Sequence, residues 1–232
     1  MKNALLLVLF MLSVNISNFA QIKHDAFDAL LKKHVSAVGN VNYKNFKKDA
    51  SALESYIKML SENAPTDKTA KAEKMAFWIN LYNALTIKTI LDNYPLSSIQ
   101  KLDNGKPWDV KKITIGDKKY SLNDIENNVL RPLGDARIHF AVNCAAKSCP
   151  PMANQAFTAA NLNNLMDTRA RKFVNDPKAN ALNGAEIKVS KIFEWYGKDF
   201  DKIPDFINRF ASVKVKTDVK VGFKDYDWSL NE

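Results

Sequence analysis

The chain has 232 residues, of which 46% are hydrophobic, and sets 34 Lys and Arg against 25 Asp and Glu for a formal net charge of +9. This composition excludes an intrinsically disordered chain, and the length suits one domain with a real core. The basic residues are scattered, and between 101 and 119 the lysines are diluted by Asp103, Asp109 and Asp117, so they read as solvated faces and nucleic acid is not expected as a partner.

Residues 1–20, MKNALLLVLFMLSVNISNFA, carry the marks of a secretory signal peptide: Lys2, an apolar stretch from Leu5 to Val14, and the small Ala20 at its end. The apolar run is too short to span a bilayer, which takes about 20 residues. The expected mature chain is exported, periplasmic or secreted, with no transmembrane span. Residues 21–66 read as an N-terminal helical segment, with amphipathic helices at 24–37 and 44–62. The segment 70–93 is apolar almost all the way round and ends before Pro95, which predicts a central buried helix. Asn80 and Asn83 lie within it, three apart; buried amides need partners, so they either tie down neighbouring loops or line a site.

Residues 112–122 predict a hairpin turning at Gly116 and Asp117, followed by a helix capped by Ser121. Residues 138–143 read as a strand, and Pro150 and Pro151 end it. Further helices are expected at 158–174, after Ser190 and near 204–211, and a short strand at 187–189. The alternation of Val213, Val215, Val219, Val221 and Phe223 predicts an edge hairpin. Trp195, Tyr196 and Trp228 read as core. The fold class is α+β: N-terminal helices, then a central buried helix packed on a small, mainly antiparallel sheet.

The chemistry-bearing residues gather in HFAVNCAAKSCPP (139–151), which holds His139 and the chain's two cysteines, Cys144 and Cys149. The pair admits three readings beside that of two inert buried cysteines. A reactive thiol would use His139 as its base, with Lys147 nearby to lower the thiol pKa. A disulfide would suit an exported chain with an even cysteine count, closing a small local loop. A metal would find three ligands in His139, Cys144 and Cys149, one short of a usual structural zinc set, and none is assigned. If 138–143 is a strand, His139 and Asn143 share a face while Cys144 points away. Asn80, Asn83 or Asp227 could orient the imidazole. Asn80, Asn83, Asn143, Glu126, Lys191 and Asp227 are candidate pocket residues; ion pairing of Glu126 and Lys191 and turn capping by Asp227 are the structural alternatives. No glycine-rich phosphate loop is present, and no cofactor is expected.

AFWINLYNAL (76–85), YSLNDIENNVLR (120–131), RIHFAVNCAAKSCPP (137–151), VSKIFEWYGKDF (189–200) and YDWSLN (226–231) together resemble the bacterial branch of the family catalogued as domain of unknown function 547, over residues 67–232. The resemblance implies kinship with papain-like and transglutaminase-like cysteine enzymes. In those enzymes the nucleophile begins a buried helix; here that helix has no cysteine and Asn80 lies near the place, so either the activity is lost or the role passes to Cys144. Two function classes follow. One is a thiol-dependent amide-bond hydrolase or acyltransferase acting on a peptide or cell-envelope ligand. The other is a non-catalytic binding module whose Cys144–Cys149 disulfide staples a loop.

Overall fold

The apolar segment predicted to be central forms helix α4 (Lys71–Asn93), and most of the architecture is arranged around it. The computed structural model describes residues 22–232, so the predicted signal peptide lies outside the described residues. Before α4 come α1 (Asp25–His34), α2 (Tyr43–Phe46) and α3 (Ala50–Glu62), each burying one apolar stripe. Asn42 caps α2 by accepting the Asn45 amide. Helix α4 packs on α3 along one side and on a π-helical turn (Asp124–Leu130) along another. No helix among the described residues is long and apolar enough to cross a membrane.

The class is α+β, as expected, with seven α-helices among the described residues and little sheet. Strands β1 (Ile113–Ile115) and β2 (Lys118–Tyr120) form the predicted antiparallel hairpin. The central helix packs mostly on helices, and Trp78 meets Tyr120 of the hairpin with ring centroids 5.2 Å apart. The sequence expectation fails in two places. The tail is not a hairpin: β4 (Lys220–Phe223) pairs in parallel with β3 (Glu186–Val189), while Val213 stays 60% exposed. Residues 136–140 form a 3-10 helix rather than a strand.

Apolar side chains divide between two cores. The first joins α1 to α4 with Ile125, Ile138 and Val142. The second is built from Phe140 with α5 (Leu162–Val174), β3, α6 (Lys191–Trp195) and α7 (Ile203–Phe210), and is rich in phenylalanine. Most of its rings pack tilted or edge-on, Phe140 and Phe206 being stacked; Phe193 lies 4.9 Å from Phe200 and Phe200 lies 4.8 Å from Phe206. Phe140 and Ile138 lie two residues apart yet enter different cores. This division explains the strand-like alternation of residues 138–142 without any strand.

Candidate functional site

His139 sits between Ile138 and Phe140, at the seam of the two cores. There a cavity of about 200 Å³ opens, and both cores contribute to its walls. Tyr82 reaches it from α4, Asn123 and Glu126 from the start of the π-helical turn, and Val142, Cys144 and Cys149 from the loop after the 3-10 helix. Trp108 comes from the segment before β1. Ile192, Trp195 and Tyr196 come from α6 and its end, and Tyr226 and Trp228 from the C-terminal segment.

The cysteine loop is held by backbone bonds and buried amides. Asn83 donates to the Ala141 carbonyl at 3.0 Å and accepts the Asn143 amide at 2.9 Å. Asn143 donates to the Pro150 carbonyl at 2.8 Å, and its Oδ1 accepts the Ala145 amide at 2.8 Å and the Asn231 side chain at 3.1 Å. These bonds keep Ala145 at φ +62, a left-handed conformation uncommon for a residue with a Cβ. The tail then runs along the loop: the Lys147 amide donates to the Ser229 carbonyl at 2.8 Å and the Asp227 amide to Ser148 Oγ at 2.8 Å. Two motifs far apart in sequence are thereby laid side by side, which brings Tyr226 over Cys144.

Cys144 and Cys149 are both free, so the stapled loop is corrected. The Cys144 amide donates to Cys149 Sγ at 2.9 Å, and Cys144 Sγ lies 3.2 Å from the Tyr226 hydroxyl. Burial pushes the Cys144 thiol up, but hydrogen bonds to its sulfur from Cys149, Tyr226 and the Ala146 amide outweigh this and hold it below its ordinary value. Cys149, 5% exposed, goes the other way: burial and the neighbouring Cys144 push it well up. The pair thus divides into a half-buried cysteine whose thiol is held below its ordinary value and a buried one whose thiol is pushed above it.

His139 is 2% exposed and stacks on Tyr196 with ring centroids 3.9 Å apart. Its Nε2 lies 2.8 Å from Asp199 Oδ2, and Arg131 grips the same carboxylate with two bonds of 2.6 and 2.7 Å. That guanidinium, with a smaller contribution from His139, holds the Asp199 carboxyl below the usual range. His139 Nδ1 has no hydrogen-bond partner and lies 3.7 Å from Glu126 Oε1. Cys144 and His139 share the cavity without a direct hydrogen bond between them.

The remaining candidates fall into place as follows. Glu126 is buried on the cavity wall. Asn80, Asn83 and Asn143 are not on the wall: Asn80 is spent in a reciprocal pair with the Phe157 backbone at 2.7 and 3.0 Å, and the other two brace the cysteine loop. Lys191 pairs with Glu194 at 2.6 Å at the surface, and Asp227 caps a turn by accepting the Ser229 amide at 2.9 Å. The imidazole is oriented by Asp199, not by Asn80, Asn83 or Asp227. With 136–140 helical, the shared face of His139 and Asn143 dissolves. Among the described residues no group of three or more His, Cys, Asp or Glu is arranged to hold a metal ion. Trp195 and Trp228, read as core, form the cavity rim instead, and Trp195 is 46% exposed. Sequence reasoning missed Asp199, Tyr226 and Trp108. Asp199 and Tyr226 both lie in motifs that carry the resemblance, 189–200 and 226–231, which was the available signal; Trp108 lies in none of them.

Residues 66–174 match the model of a family described as "Protein of unknown function, DUF547". No curated protein and no solved structure matches the chain. The matched segment contains α4, the π-helical turn and α5, and with them Glu126, His139, Cys144 and Cys149. The resemblance to the DUF547 family of proteins of unknown function is thus supported over residues 66–174, a little under half of the chain.

Proposed function

We propose that the protein is a thiol-dependent amide-bond hydrolase or acyltransferase with Cys144 as its nucleophile, acting on peptide or cell-envelope material after export. The observation that carries this reading is the placement of Cys144 Sγ on a cavity wall, bonded to Tyr226 at 3.2 Å, with the Asp199-oriented His139 facing the same cavity.

In this reading Cys144 works as the thiolate and His139 as the imidazolium, which Asp199 stabilises from Nε2. The sulfur attacks the carbonyl carbon and forms a C–S bond. The C–N bond then breaks, and Nδ1 of His139, which has no hydrogen-bond partner among the described residues and lies 3.7 Å from Glu126, gives its proton to the departing nitrogen. A water or an amine next attacks the thioester, returns a proton to His139 and releases the Cys144 thiolate. Cys149 and Tyr226 steady the sulfur in both steps.

The test uses the mature chain and p-nitrophenyl acetate. The expected result is a burst of one equivalent of p-nitrophenolate with an acetyl adduct that peptide mass spectrometry places on Cys144. Cys144→Ala should abolish the burst, and His139→Gln should slow release of the adduct about 100-fold or more. An adduct on other residues, or a burst that survives Cys144→Ala, overturns the reading.

A further inference from the structure

Glu126 is 4% exposed and faces the cavity, yet among the described residues its one ion-pair partner is the His139 imidazole at 3.7 Å, beyond hydrogen-bonding distance. In the proposed mechanism that imidazole is a cation, but its Nε2 is bonded to Asp199; Glu126 is hydrogen-bonded by Tyr196 and has no cation within hydrogen-bonding distance, whereas buried carboxylates are normally paired. No lysine or arginine lines this cavity, although the chain carries 34 of them. Much of the lining is aromatic. Trp108 and Trp195 pack against Trp228 with ring centroids 5.5 and 5.7 Å apart, and Tyr226 lies 4.6 Å from Trp228. Arg131 sits over the ring of Tyr196 on the cavity wall, and elsewhere Lys and Arg sit over the rings of Tyr120, Phe206, Phe210 and Phe223. Among the described residues no Lys or Arg lies over the indoles of Trp108, Trp195 and Trp228.

We propose that the substrate group entering this cavity is an alkylammonium, held between the Glu126 carboxylate and the faces of Trp108, Trp195 and Trp228. The inference rests on the reading of Cys144 as a reactive thiol at the same cavity. Aromatic surfaces with a nearby carboxylate are the chemistry that recognises amines, and an indole gives the strongest ring partner for a cation. The surrounding charge sharpens the point. A protein of net charge +9 repels cations at long range, so a preference for them at this site must come from these residues.

The experiment compares alkylation of Cys144 in the mature chain by 2-bromoethylamine, iodoacetamide and iodoacetate, which are cationic, neutral and anionic. Each rate is read by peptide mass spectrometry and divided by the same reagent's rate with 2-mercaptoethanol. The expected normalised preference for bromoethylamine over iodoacetamide is roughly tenfold, with iodoacetate slowest. Glu126→Gln should erase most of that preference. Trp195→Leu, at a half-exposed position that tolerates change, should reduce it several-fold and serves if the Glu126 variant does not fold. If Cys144 is alkylated by none of the three, the thiol reading falls and this inference with it. If Cys144 reacts but iodoacetamide or iodoacetate is preferred, or both folded variants keep the wild-type ratio, the ammonium inference falls and the thiol reading stands.

Discussion

Asp199 carries two partners on one carboxylate, Arg131 and His139, and its stability contribution follows from that. Arg131 holds the folded-state pKa below the ordinary carboxylate value of about 3.9. The stabilisation is therefore complete above that pH and is lost as the pH falls through the lowered folded value. Asp199→Asn should cost about 2 kcal/mol near neutrality. The gap between wild type and variant should close in acid, below about pH 4; urea unfolding curves between pH 7 and pH 2 check it. Individual residues were unevenly legible. The two asparagines could be read as buried and bonded, because an amide inside an otherwise apolar helix must find a partner, and Asn80 and Asn83 do. Asp199 could not, because its meaning lies in His139, 60 positions away, and in an arginine that nothing in the local pattern connects to it.

Among the elements, the cysteine loop depends on Asn143 more than on any other side chain. One amide there satisfies the Pro150 carbonyl, the Ala145 amide and the Asn231 side chain. Asn143→Ala leaves those buried groups without partners and should lower the unfolding free energy by about 3 kcal/mol, measured by urea denaturation. A loss below about 1 kcal/mol, the net contribution of a single ordinary hydrogen bond, would show that the loop is braced elsewhere. The hairpin and the long helices were legible because their periodicities are local. The helix after Ser121 was legible from its cap: the Ser121 hydroxyl accepts the Asp124 amide at 3.1 Å, and the Asp124 carboxylate accepts the Ser121 amide at 2.7 Å. The segment around His139 was not, because an alternating apolar pattern signals a strand only when one core lies on one side. The tail misled for a related reason: β4 finds its partner in β3, some thirty residues upstream, rather than in its own neighbour.

At the scale of the molecule, the two cores meet at the site. The family match ends at Val174, at the end of α5, but Asp199, Trp195, Tyr196, Tyr226 and Trp228 come from beyond it. The segment that carries the thiols and the imidazole is thus completed by a second core that orients the imidazole and supplies most of the aromatic rim. Close packing ties the first core to the same loop. Gly39, at φ +95, lets the N-terminal segment approach Pro151 so closely that an added Cβ would fall 2.4 Å from the proline Cβ. The rim has a further consequence. Of the chain's four tryptophans, Trp108, Trp195 and Trp228 border the cavity, while Trp78 is buried in the first core. Ultraviolet emission from the native protein is therefore dominated by chromophores at the cavity mouth. A non-absorbing amine added in titration should change that emission with a saturable dependence, and Trp195→Leu should remove much of the change, so the unlabelled protein is its own optical gauge of occupancy.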